Sequence, residues 1–110
     1  MVSSYKRGDV YLVQESATEG SEIKKTRPWV IVSADGLNRA RSTVIAIPLS
    51  TQVKEIPHLS IKTFLNGITS CAILDQIRAL DKRRFLRHEG TLENYELDAI
   101  EKGLRTILCL

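Results

Sequence analysis

At 110 residues, 43% of them hydrophobic and 26% charged, the chain has room for one compact domain spanning 1–110, and its balance excludes disorder, collagen-like repeats and a disulfide scaffold. The net charge of +3 favours a polyanionic partner without requiring one. No apolar stretch after Met1 resembles a signal peptide and no run approaches the roughly 18 apolar residues of a membrane span, so a cytoplasmic protein with no membrane partner is expected.

The first two-thirds is a series of short apolar runs punctuated by Gly, Pro, Asn and Ser, the pattern of an all-β unit. Asp9-Val10-Tyr11-Leu12-Val13 predicts the first strand, followed by a long polar loop over 18–26. The runs 28–33 and 43–48 come next; within them 29–32 and 44–47 are apolar on both faces and β-branched, which predicts central strands. Weaker runs follow at His58-Leu59-Ser60-Ile61-Lys62 and at Cys71-Ala72-Ile73-Leu74, the latter leading into 75–80. The tail changes period, with Leu97, Ile100, Leu104, Ile107 and Leu108 recurring every three or four residues. That predicts one amphipathic helix, starting at Gly90-Thr91 with Thr91 as its cap and weakened in the middle by Gly103. The expected architecture is mainly β, a small barrel or curved sheet closed by a C-terminal helix. Cys71 and Cys109 lie far apart with no CxxC and no nearby histidine pair, so no metal, cofactor or disulfide is expected and both are read as buried small hydrophobes.

Three polar interruptions are candidates for chemistry. Arg27 precedes Pro28, which pushes its backbone towards extended geometry and limits Pro28 to the opening of a strand or an edge. Held there, its planar guanidinium can bind a phosphate through two parallel bonds, or it is an ordinary exposed ion pair. Ser50-Thr51-Gln52 ends the third strand, where the hydroxyls either donate to a phosphate oxygen or satisfy backbone groups in the turn. Asp75-Gln76-Ile77-Arg78 follows an apolar strand directly, and the plain alternative to chemistry is that Asp75 and Arg78 pair with one another or with turn amides. Basic residues gather at Lys24-Lys25-Thr26-Arg27, at Arg39 and Arg41, and at Lys82-Arg83-Arg84 with Arg87, which would attract phosphates if they shared a face.

Taken in order, Gly8-Asp9-Val10-Tyr11, Gly20-Ser21-Glu22 with Arg27-Pro28, Pro48-Leu49-Ser50-Thr51-Gln52 and Asp75-Gln76-Ile77-Arg78 with Leu80-Asp81-Lys82-Arg83 resemble the MazF/PemK (Kid) toxin ribonucleases over nearly the whole chain. The resemblance implies an SH3-like small barrel of the CcdB/PemK type with a C-terminal helix. It also implies a homodimer that cuts single-stranded RNA at short sequences without a metal and is silenced by a cognate antitoxin. Arg27 falls on the family's catalytic arginine, and Ser50 falls where members usually carry a catalytic threonine, with Thr51 beside it as a substitute. Asp75 occupies the place of an aspartate proposed as base in the PemK-like branch, although the arginine two positions before it is Ile73 here. The histidine of some members' first loop is also missing. Glu22, Lys24, Lys25 and Thr26 in the loop, with Gln52, Gln76 and Arg78 at strand ends, are the expected RNA contacts. The group that takes the 2′-OH proton is left open among Asp75, a deprotonated Arg27 and water. A gyrase poison of the CcdB type shares the barrel, but the chain ends Thr106-Ile107-Leu108-Cys109-Leu110 without that group's Trp-Gly-Ile tail. A non-catalytic nucleic-acid-binding barrel is the alternative if Ser50 cannot replace threonine.

Overall fold

The computed structural model describes residues 5–16 and 25–110. Seven antiparallel strands follow in chain order: β1 Asp9–Ser16, β2 Lys25–Ile31, β3 Thr43–Ser50, β4 Ser60–Leu65, β5 Ile68–Ile73, β6 Arg78–Asp81 and β7 Phe85–Thr91. Their spatial order is β4-β5-β3-β2-β1-β7, with β6 also pairing β3. A short helix α1, Asp35–Ala40, joins β2 to β3, and α2, Asn94–Leu108, follows β7. The result is a curled half-barrel backed by one helix.

The two runs apolar on both faces are the centre of the sheet. Val30 and Ile47 face a core with Val10, Leu49, Ala72, Leu74, Leu92 and Ile100, over which α2 packs Leu97, Leu104 and Ile107. Trp29, Ile31, Val44 and Ala46 face the other way, into a second core with Tyr11, Val13 and Leu80 that Tyr5 and Phe85 flank. Each fully buried aliphatic side chain contributes about 1.5–3 kcal/mol, so a strand buried on both sides is held twice. Strand β3 is long because it changes neighbours: Thr43 to Ala46 pair with β6, then Leu49 and Ser50 with β5. The 3-10 turn Leu74–Gln76 takes up the slack between those two partners, which curls the sheet.

Several expectations are corrected. Thr91 does not cap the helix; it ends β7, and its hydroxyl donates to Asp9 Oδ1 at 3.0 Å. The cap is Glu93, in a capping box with Glu96, whose carboxylate also accepts the Phe64 amide of β4 at 2.7 Å. Pro28 is neither at the opening of its strand nor on an edge strand: it is the fourth residue of β2, paired with Leu12, at the point where pairing to β3 has not yet begun. Cys71 is buried, but Cys109 is exposed, in the left-handed conformation that closes α2. Strand β7 and helix α1 have no counterpart in the sequence reading. The first is an edge strand carrying mostly exposed polar residues, and the second is fixed by the buried Asn38, which donates to the Ser33 carbonyl at 3.0 Å.

Candidate active site

The site begins where the β2–β3 ladder ends. Its register runs Ile31↔Ala46, Val30↔Ile47, Trp29↔Pro48 and stops; from there β2 continues on β1 alone and β3 continues on β5. Carrying that register two residues further sets Arg27 across from Ser50, and strand alternation puts both side chains on the face of Trp29 and Pro48. The arginine and the hydroxyl expected from the sequence thus both lie at the end of the sheet where β2 and β3 have just changed partners.

Arg27 is part-exposed, and its Nε lies 3.5 Å from Glu15 Oε2. The same oxygen accepts the Trp29 indole N–H at 2.8 Å. Glu15 is the extra residue of a β-bulge, since Gln14 pairs with Thr26 and Ser16 with Lys25 while Glu15 has no cross-strand partner. Its carbonyl, left out of the ladder, accepts a bond from Arg84 Nη1 at 2.6 Å. Ser50 Oγ accepts the Gln52 amide at 3.1 Å and Thr51 Oγ1 accepts the Gln52 side-chain amide at 3.1 Å. The turn role foreseen for Ser50 is therefore real, and it uses the hydroxyl as an acceptor, leaving its proton to give.

The remaining candidates are spread more widely. Lys25, Thr26, Thr51 and Gln52 are exposed at the same end of the sheet, where β2 starts and β3 ends. Asp75 and Gln76 are exposed on the 3-10 turn, on the far side of β3 from β2, and Asp75 has no ion pair or hydrogen bond among the described residues. Arg78 is exposed on β6 opposite Ala46, four residues and about 13 Å of strand from Ser50, and does not pair with Asp75. Glu22 and Lys24 lie outside the described residues, as do Gly20 and Ser21. Glu15, Trp29 and Arg84 were not foreseen as site residues: Trp29 reads as core, Arg84 as one cation in a polar run, and Glu15 as the polar end of a strand. A lone acid two residues beyond an apolar run was the available signal. Within the basic clusters Arg83 pairs with Asp81 and Arg87 with Glu89. Bonds from Arg83 hold the Asp81 carboxyl below its ordinary range. Among the described residues no three His, Cys, Asp or Glu side chains converge as a metal site.

A half-barrel with one backing helix, with an arginine and a hydroxyl at the end of its central ladder, is the architecture of a small-barrel toxin. The chain belongs to the PemK-like, MazF-like toxins of type II toxin–antitoxin systems, whose family model matches residues 6–108. Endoribonuclease EndoA of Bacillus subtilis (strain 168) is 32% identical over 110 residues, covering 96% of this chain and 95% of that protein. An endoribonuclease from a mycobacterial species, solved in complex with its cognate antitoxin, superposes with a TM-score of 0.79 at 27% identity over 96% of this chain and 95% of its own. The fold is shared further still: MazF in a MazE–MazF structure from Deinococcus radiodurans superposes with a TM-score of 0.82 at 19% identity, covering 99% of each chain.

Proposed function

We propose that this toxin is an endoribonuclease that cuts single-stranded RNA at short sequences by attack of the neighbouring 2′-OH, leaving a 2′,3′-cyclic phosphate and a 5′-OH, with no metal taking part. The reading is supported by the register of β2 on β3, whose last pair, Trp29 with Pro48, leaves Arg27 and Ser50 each two residues further on at the end where the strands part. The nucleophile belongs to the substrate, so the enzyme has to stabilise negative charge on the phosphorane and move protons. Arg27 is the clamp on the non-bridging oxygens, since guanidinium donors aimed at developing charge gain most in a partly dry site. Ser50 donates to the same group, with Thr51 as the neighbouring hydroxyl. Lys25, Thr26 and Gln52 line the approach, Asp75, Gln76 and Arg78 meet RNA on the far side of β3, and Glu22 and Lys24 are RNA contacts by family resemblance alone.

By family analogy the chain works in the cytoplasm as a homodimer, and a cognate antitoxin silences it by covering the RNA groove. The decisive test incubates the pure protein with a long RNA in EDTA and maps the ends. Cutting that persists in EDTA, leaves cyclic phosphate ends and is abolished by Arg27→Ala is expected. No cutting of any RNA, with gyrase trapped on DNA instead, would overturn the reading.

A further inference from the structure

The sequence leaves the acceptor of the 2′-OH proton open among Asp75, Arg27 and water, and Asp75 is the one carboxylate among them, yet the carboxylate joined to Arg27 is that of Glu15. Asp75 sits on the turn beside β3, and β3 itself stands between that turn and β2, so the two backbones are two strand spacings apart, about 10 Å. Glu15 is held on several sides. Its bulge turns the side chain to the face of Trp29, the indole N–H fixes Oε2 at 2.8 Å, and Arg84 secures the carbonyl at 2.6 Å. The side chain is only 20% exposed, and Oε1 carries no hydrogen bond among the described residues. An exposed ion pair at 3.5 Å contributes at most about 1 kcal/mol to stability, too little to account for this much support around one carboxylate.

We infer that Glu15 is the general base of the reaction, a role that rests on the endoribonuclease reading above. A phosphate on the Nη groups of Arg27, which carry no bond among the described residues, brings its 2′-oxygen, which must stand about 3–3.5 Å from phosphorus, next to the guanidinium edge that Glu15 already flanks. Oε1 takes the proton from the 2′-OH as the 2′-oxygen forms its bond to phosphorus. The bond from phosphorus to the 5′-oxygen breaks, and that oxygen takes a proton from water. The carboxylic acid of Glu15 then returns its proton to the hydroxide formed, so the net change is transesterification alone. Trp29 acts as a positioning residue, holding Oε2 so that Oε1 points outward.

The test uses the full-length toxin and one RNA containing a single site that the wild type has been mapped to cut. The rate of the bound complex is followed against pH for wild type, Glu15→Gln, Asp75→Asn and Trp29→Phe. Binding to the same RNA with a 2′-deoxy sugar at the cut site is read by anisotropy, and thermal melts confirm folding. Glu15→Gln is expected to lower kcat by about 100-fold or more, to leave binding within about threefold, and to abolish the acid limb of the profile. Asp75→Asn is expected to retain that limb. Trp29→Phe, which removes the donor that fixes Oε2, is expected to lower kcat while leaving binding within about threefold, and it carries the test if Glu15→Gln does not fold. An acid limb that persists in Glu15→Gln or vanishes in Asp75→Asn, or an unchanged kcat in Trp29→Phe, overturns the inference. A wild type that cuts no RNA sinks the ribonuclease reading instead, so the two failures are distinguishable.

Discussion

Ser50 Oγ is occupied as an acceptor by the Gln52 amide, while Thr51, beyond the end of β3, is exposed and engaged only by the Gln52 side chain. The two hydroxyls are therefore not equivalent, and only Ser50 lies on the strand whose register, carried on, sets it across from Arg27. Ser50→Ala is expected to lower kcat about 100-fold, the cost of losing one donor to developing negative charge, and Thr51→Ala to lower it far less. Ser50→Thr, which adds the methyl that restricts χ1, is expected to retain cutting. Single-turnover rates on one RNA decide this, and an equal loss from both alanine variants would remove the distinction. The cysteines make a second test. Burial, with Glu55 nearby, raises the Cys71 thiol above its ordinary range, whereas Cys109 is exposed at the end of α2. Since the thiolate is the reactive form, iodoacetamide near neutral pH should label the folded protein once, at Cys109, and twice after denaturation. Mass spectrometry of the labelled peptides reads the result. Arg27 and Ser50 were legible because a dipeptide and a strand end mark them. Glu15 was not, because a bulge that re-aims one side chain leaves no trace in periodicity. Cys109 was misread because residue type predicts burial and position at a helix end overrides it.

At the scale of elements, α2 was legible from its stripe of Leu and Ile, but its punctuation was not. Thr91 looked like a cap, yet Glu93 and Glu96 supply the capping box, and Glu96 ties the helix to the edge strand β4 as well. Removing that carboxylate leaves the Phe64 and Glu93 amides without their acceptor, so Glu96→Ala should cost about 2–3 kcal/mol, measured by urea unfolding. Gly103, read as a weak point, is a close approach: a Cβ there would collide with Leu74 Cδ1 and come within 3.2 Å of the His58 carbonyl oxygen. Gly103→Ala gains about 1 kcal/mol of helix propensity and loses about 1–3 kcal/mol to overpacking against a backbone that cannot yield. A net loss near 1 kcal/mol is expected, seen as a Tm lower by about 4–8 °C, whereas a stabilised variant would show that α2 moves away freely. Strands β1 to β5 were visible as apolar runs to within a few residues of their ends. Strand β7 escaped because an edge strand that buries little shows no alternation, and α1 because six residues held by a buried Asn38 have no helical period to display.

For the whole molecule, the question is how a chain of net charge +3 holds a polyanion. Basic clusters, if they shared a face, would give a broad electrostatic track and a steep dependence on salt. Folding sets several of the cations beside carboxylates: Arg7 pairs with Glu101, Arg83 with Asp81, Arg87 with Glu89, and Arg27 itself with Glu15. Lys82 donates to the Asn38 carbonyl, and Arg84 to that of Glu15. Lys25 and Arg78, which have no carboxylate partner among the described residues, sit at separate places on the sheet. Affinity should therefore come from a few local phosphate contacts together with base-edge contacts, because single-stranded bases are open to both stacking and hydrogen bonding. Each phosphate neutralised on a single strand contributes a slope of about −0.7 to the logarithm of affinity against the logarithm of salt. Two to four contacts predict a slope of about −1.5 to −3, measured by anisotropy with an RNA carrying a 2′-deoxy sugar at the cut site so that nothing is cleaved. Arg27→Ala should flatten that slope by less than a full phosphate's worth, because its charge is already shared with Glu15. A slope steeper than about −5 would mean that RNA breaks the internal pairs and recruits the 82–87 cluster after all, and the basic track read from the sequence would be restored.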